Sequence, residues 1–99
     1  MNDETVIAAN IVHEAQKAVY NEKPIVAENI KVLEAAKTYQ EQVTNTLDDG
    51  TKALAAIRKH DVSEYMENVN IFKNAVNNKK DALNKLRTAF VNKLIAALH

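Results

Sequence analysis

The sequence contains no cysteine, no tryptophan, one glycine and one proline among its 99 residues. Without cysteine the chain has no disulfide bond, no thiolate nucleophile and no zinc–thiolate site. One glycine and one proline are too few for the many turns of a β-sandwich or β-barrel, and one glycine excludes a glycine-rich phosphate loop. Two phenylalanines and three tyrosines leave few rings for stacking on bases or sugars.

Thirteen basic and thirteen acidic residues cancel, so the net charge does not predict binding to nucleic acid or to an anionic membrane. The distribution is uneven, with twelve acids and seven bases in residues 1–70 and one acid and six bases in residues 71–99. We expect the basic segment to pack beside acidic segments of the same chain. The alternative is that it faces an acidic partner.

Long apolar runs are also missing. No run is longer than five residues, the length of Leu94 to Leu98, against the roughly 20 that a membrane-spanning helix needs. The opening residues Met1 to Glu4 are not those of a basic, apolar signal peptide. We expect a chain that is cytoplasmic, or exported without a cleavable signal peptide.

Helical periodicity is clearest in the last third of the chain, where apolar residues recur in alternating steps of three and four. The seam consists of Val62, Tyr65, Val69, Phe72, Val76, Lys79, Leu83, Leu86, Phe90, Lys93 and Ala97. Alanines at positions 75, 82, 89 and 96 form an adjacent column that lets a neighbouring helix approach closely. With the capping pattern Asp61-x-x-Glu64, the spacing predicts a helix over residues 62–97.

The middle of the chain allows two topologies. Pro24 suits a first helical residue, and an apolar stripe keeps helical phase from there to Ile57. Either one helix runs over residues 24–59 and the chain turns at 59–61, or the helix breaks at residues 48–51, around Gly50. The spacing slightly favours the first topology.

The first residues predict a helix over 3–22 that ends before Pro24. Without a repeat or a linker, the sequence predicts a single helical domain over residues 1–99. Its expected fold is all-α, an antiparallel helical hairpin or bundle of three, or else four, helices with a long C-terminal amphipathic helix.

The sequence has few residues in patterns that indicate catalysis or metal binding. The three histidines, His13, His60 and His99, lack the spacing of a zinc or di-metal site, and Ser63 is the only serine. The thirteen carboxylates are scattered over positions that we expect to face solvent. We therefore expect a protein that is not an enzyme and that binds no metal or cofactor.

The long C-terminal amphipathic helix has more apolar length than the first helix, of about 20 residues, can cover. The sequence therefore predicts a non-catalytic binding module. We expect its partner to be another helical protein or a second copy of the chain, not nucleic acid. The residues expected at the interface are Val69, Phe72, Val76, Leu83, Leu86, Phe90, Lys79 and Lys80. An alternative is a self-associating structural or regulatory bundle of the phage-assembly, immunity or antitoxin type.

The layout resembles the small helical-hairpin proteins of type VII secretion, which include the WXG-type family and the helical partners of LXG-domain toxins. Asp48-Asp49-Gly50 stands where the WXG family has its Trp-x-Gly, with the glycine kept and the tryptophan absent. The family's tail signal, a tyrosine followed four residues later by an acid, has no match here. The resemblance implies a targeting or chaperone role, in which the protein binds the helical N-terminal region of an effector before export.

Overall fold

A computed structural model describes residues 3–99 of the chain, so Met1 and Asn2 lie outside it. The described part consists of three helices and contains no strand, which confirms the predicted all-α antiparallel hairpin or bundle. The helices are α1 (Asp3–Asn21), α2 (Val26–Arg58) and α3 (Val62–Leu98), with one 3₁₀ turn (Lys23–Ile25) between α1 and α2.

A buried asparagine near the start of α2 holds the connection between α1 and α2 in place. Pro24 lies in the 3₁₀ turn, and α2 begins two residues after it. The Asn29 side chain, only 1% exposed, donates hydrogen bonds from Nδ2 to the carbonyl oxygens of Ala18 (3.3 Å) and Glu22 (3.4 Å). This amide ties the start of α2 to the end of α1.

Helix α2 runs without a break through Gly50, and the chain reverses at residues 59–61. The reversal is a Schellman motif, in which two amides beyond the helix return to its last carbonyls. The His60 amide donates to Ile57 (3.0 Å) and the Asp61 amide to Ala56 (3.2 Å). His60 occupies the left-handed position at φ 59°, where glycine is the usual residue.

Asp61 also starts the next helix. Its carboxylate accepts a hydrogen bond from the Glu64 amide at 2.9 Å, as the capping pattern predicts. The second half of a capping box is not formed, because the Asp61 amide already donates to Ala56. The Glu64 carboxylate instead lies 4.0 Å from Nζ of Lys59.

Small residues bring the helices together. Ala75 and Ala82 of α3 are buried, and the Thr46 hydroxyl of α2 donates to the Ala75 carbonyl oxygen at 3.2 Å. This contact shows how closely the alanine column lets α2 approach α3. The buried core comprises Ala8, Val12, Ala15, Val32, Ala36, Tyr39, Val43, Ala82 and Leu86.

Helices α1 and α3 run parallel, and both run antiparallel to α2. Two ion pairs join them, Lys79 Nζ to Glu4 Oε1 at 2.7 Å and Lys93 Nζ to Glu22 Oε2 at 3.2 Å. Both lysines lie in the basic segment and both carboxylates in the acidic one. Because α1 has 19 residues and α2 has 33, α1 covers only the half of the α2–α3 hairpin that lies away from the turn.

Candidate functional site

We call the half of the hairpin near the 59–61 turn the distal half, and within residues 3–99 no third helix covers it. The boundary lies at Glu4, whose carboxylate contacts both Lys79 of α3 and Tyr39 of α2. Beyond this point α2 continues as an apolar stripe. Leu47, Leu54 and Ile57 are 45%, 56% and 48% exposed, whereas Val32, Ala36, Tyr39 and Val43 of the same stripe are buried.

Leu47, Leu54 and Ile57 form one wall of an apolar channel of about 650 Å³, which we call the distal groove. Helix α3 supplies the opposite wall, and the first turn of α1 closes one end through Glu4. The principal lining residues are Val43, Thr46, Leu47, Gly50, Ala53, Leu54, Ile57, Tyr65, Val69, Phe72, Lys73 and Lys79. The groove is therefore a helix-sized strip in line with α1.

Gly50 forms part of this groove for a steric reason. A Cβ at this position would lie 3.1 Å from Cε1 of Phe72. The absence of a side chain lets the Phe72 ring pack close to the α2 backbone, and the ring remains half-buried beside the open channel. The glycine thus serves the α2–α3 contact, because the helix passes through it without a turn.

A second apolar groove of about 820 Å³ separates α1 from α3, between the two ion pairs. We call it the α1/α3 groove. Its principal lining residues are Ile7, Asn10, Ile11, Glu14, Ala15, Val32, Leu83, Leu86, Arg87, Phe90 and Val91. Ile7, Phe90 and Val91 are about half exposed, so apolar side chains from both helices face solvent along this groove.

Two pKa shifts occur at the boundary between the grooves. The hydrogen bond from Lys79, assisted by that from Tyr39, lowers the pKa of the Glu4 carboxyl against the opposing effect of burial. Burial raises the pKa of the Tyr39 phenol, and its hydrogen bond to the Glu4 carboxylate raises it further. Both shifts favour ionised Glu4 beside a neutral tyrosine, an arrangement that holds the first turn of α1 in place.

The eight predicted interface residues do not form one surface. Val69, Phe72 and Lys79 line the distal groove, whereas Leu83, Leu86 and Phe90 line the α1/α3 groove. Val76 is half-buried and Lys80 is exposed, and neither is among the lining residues of either groove. Lys79 is tied to Glu4, so the cation at this point of the seam is neutralised within the chain.

Sequence reasoning missed the contributions of the other two helices to these grooves. Leu54 and Ile57 belong to the α2 stripe, and helical periodicity places them on its apolar face. They are exposed because α1 does not extend over them. Ile7 and Ile11 of α1 similarly become groove walls because α1 lies beside α3. In both cases the sequence shows the apolar stripe of the helix. The exposure of these side chains results from the unequal lengths of the helices.

His13, His60 and His99 are all exposed, and residues 3–99 contain no group of three or more histidine, aspartate or glutamate side chains arranged to hold a metal ion. Within the same residues, no helix combines the length and hydropathy needed to cross a membrane.

Comparison with known proteins gives no match, since no family model fits the sequence and no curated protein or solved structure is detectably similar to it.

Proposed function

We propose that the protein is a non-catalytic binding module whose distal groove accepts one amphipathic helix of a partner protein. The observation that carries this proposal is the continuity of the α2 stripe. Its first half is buried under α1, and its second half, from Leu47 to Ile57, is apolar and exposed. A partner helix bound in the distal groove would cover the distal half of the hairpin as α1 covers the other half.

The dimensions of the groove suit a helix. From Val43 to Ile57 the floor consists of fifteen residues of α2, whose fourteen steps of 1.5 Å span roughly 21 Å. That length accommodates about four helical turns. Such a ligand presents apolar residues at positions i, i+3 or i+4, and i+7, the spacing that enters a groove between two helices.

The charges beside the groove define the partner further. Lys73 and Lys79 are the basic residues of the lining, and Lys79 is paired with Glu4. Lys73 is exposed on the α3 side. We therefore expect an acidic residue on the flank of the partner helix that lies toward α3, where it contributes to orientation and association rate more than to affinity.

The biological setting that we propose is that of an adaptor, targeting factor or chaperone for an effector exported by a type VII system. Two long helices of 33 and 37 residues joined by a three-residue turn support this proposal, because they have the layout of the small helical-hairpin proteins that the sequence resembles. In this setting the ligand is the helical N-terminal region of the effector, and the protein acts in the cytoplasm or leaves the cell with its cargo.

The proposal is tested by site-specific photo-crosslinking in the native host. A photoreactive amino acid at Leu54, in the groove, should give one discrete crosslinked product. The matched control carries the same amino acid at Asn45, an exposed α2 residue that lines a polar depression outside the groove. Mapping of the crosslink should place it on an amphipathic helix.

The purified partner is then titrated against the wild-type protein, Leu54→Asp and Asn45→Asp. We expect Leu54→Asp to weaken binding at least tenfold, because it places an unpaired charge against the apolar face of the ligand. Asn45→Asp should bind as the wild type does. Equal crosslinking at both sites, or equal affinity of both variants, would overturn the proposal.

A further inference from the structure

The α1/α3 groove is a second unpartnered apolar surface, and its two sides carry opposite charge. Helix α1 has three acidic residues and one basic residue, whereas the chain from Ile71 onward has six basic residues and one acid. Among the lining residues of the groove, Glu14 belongs to α1 and Arg87 to α3. One side of the groove is therefore acidic and the other basic.

Glu14 and Arg87 lie at a similar height in the bundle. Glu14 comes ten residues after Glu4, Arg87 comes eight residues after Lys79, and both lie between the two ion pairs that join the helices. Arg87 forms no ion pair within residues 3–99, and the contact of Glu14 with Lys17 is an exposed i,i+3 pair of little energetic value. Both charges are thus available to a partner.

We propose that this face pairs with the same face of a second copy, so that two chains form a parallel dimer through their α1/α3 grooves. A two-fold axis parallel to the helices places α1 of each copy on α3 of the other and preserves heights along the bundle. Glu14 of each copy then faces Arg87 of the other. The half-exposed Ile7, Phe90 and Val91 of both copies pack into the shared space between them.

The charges discriminate against the alternative pairing. A two-fold axis across the helices in the plane of the interface would place α1 on α1 and α3 on α3. With that axis at the height of Glu14 and Arg87, each of these residues would meet the same residue of the other copy. Such like-charge contacts are the usual means by which an interface rejects a wrong arrangement. The two grooves share no lining residue, so this proposal does not depend on the proposed function.

Charge exchange between two variants tests the arrangement. We expect the wild-type protein to reach about 22 kDa, twice its 11.0 kDa, in light scattering across a hundredfold concentration range. Glu14→Arg and Arg87→Glu should each raise the dimer dissociation constant at least tenfold, because each brings like charges together twice per dimer. Circular dichroism confirms that each variant stays helical.

An equimolar mixture of the two variants should restore the dimer. In the mixed dimer the introduced arginine of one chain meets the introduced glutamate of the other, and the two unchanged residues, Glu14 and Arg87, also face each other across the interface. Within the Glu14→Arg chain itself the two positive charges still repel. Only contacts between chains produce this rescue. Leu54→Asp, in the distal groove, should dimerise as the wild type does.

A wild-type protein that is monomeric throughout, single variants that still dimerise, or a mixture that stays monomeric would each overturn the proposal. If circular dichroism shows that a charge variant is unfolded, Phe90→Asp takes its place, since Phe90 is about half exposed at the groove. This variant should also be monomeric, and a dimer of unchanged affinity would again overturn the arrangement.

Discussion

The Nζ atom of Lys79 lies 2.7 Å from Oε1 of Glu4, 75 residues earlier in the chain. The second oxygen of the same carboxylate accepts a hydrogen bond from the Tyr39 hydroxyl at 3.1 Å. One carboxylate at the start of α1 therefore joins all three helices. It does so at the point where the three-helix half of the molecule gives way to the two-helix half.

The Glu4 carboxylate should make stability depend on pH. Because its folded pKa is lowered, ionised Glu4 contributes stability that is present above the unfolded pKa, about 4.3, and is lost as the pH falls through the folded value. Glu4→Gln should cost about 1 kcal/mol at pH 7 and less at pH 3. Urea unfolding at both pH values measures the difference.

The matched control for that experiment is Glu41→Gln in α2, where the glutamate is exposed and forms no ion pair within residues 3–99. It should change the free energy of unfolding by less than about 0.5 kcal/mol at either pH. Equal losses in the two variants at pH 7 would show that the Glu4 contacts contribute nothing specific.

His60→Gly should stabilise the protein. His60 has φ 59°, a conformation that costs an L-residue roughly 1 kcal/mol and costs glycine nothing. The same substitution at exposed His13, inside α1, should lower stability by about 1 kcal/mol, because glycine is a poor helix former. Opposite shifts of the urea midpoint for the two variants are the expected result, and shifts of the same sign would contradict the left-handed turn.

Gly50→Ala should also stabilise the protein, by roughly 0.5 kcal/mol. Helix propensity favours alanine by about 1 kcal/mol inside an uninterrupted helix. Part of that gain is lost because the new methyl group would lie 3.1 Å from the Phe72 ring. The ring lines the open distal groove and has room to move by the few tenths of an ångström required.

Urea unfolding of Gly50→Ala in the wild-type and Phe72→Leu backgrounds measures the two effects separately. The gain should be larger where the ring is absent. A loss of stability in both backgrounds would contradict the uninterrupted course of α2.

Periodicity predicted the helices because burial on one face determines where apolar residues stand along a long helix. The seam through Leu83 and Leu86, the alanine column at 75 and 82, and the cap at Asp61 all follow from local rules. The turn at 59–61 was harder to assign, because its left-handed residue is histidine and the only glycine lies within α2.

The two grooves were not predictable in the same way. Whether Leu54 or Phe90 is covered depends on which helix lies beside it and where that helix ends. Lys79 and Lys93 have the spacing of seam residues, but their carboxylate partners lie more than 70 residues away in sequence. Sequence spacing identifies a face of a helix, whereas the neighbour of that face is a property of the fold.

The unequal thickness of the molecule has a consequence for amide hydrogen exchange. Opening of the two-helix half breaks fewer apolar contacts than opening of the half in which α1 packs on α2, so the free energy of local unfolding should fall toward the 59–61 turn. We expect amides of residues 50–70 to exchange faster than those around Ala36 and Ala82. A ligand in the distal groove would slow that exchange.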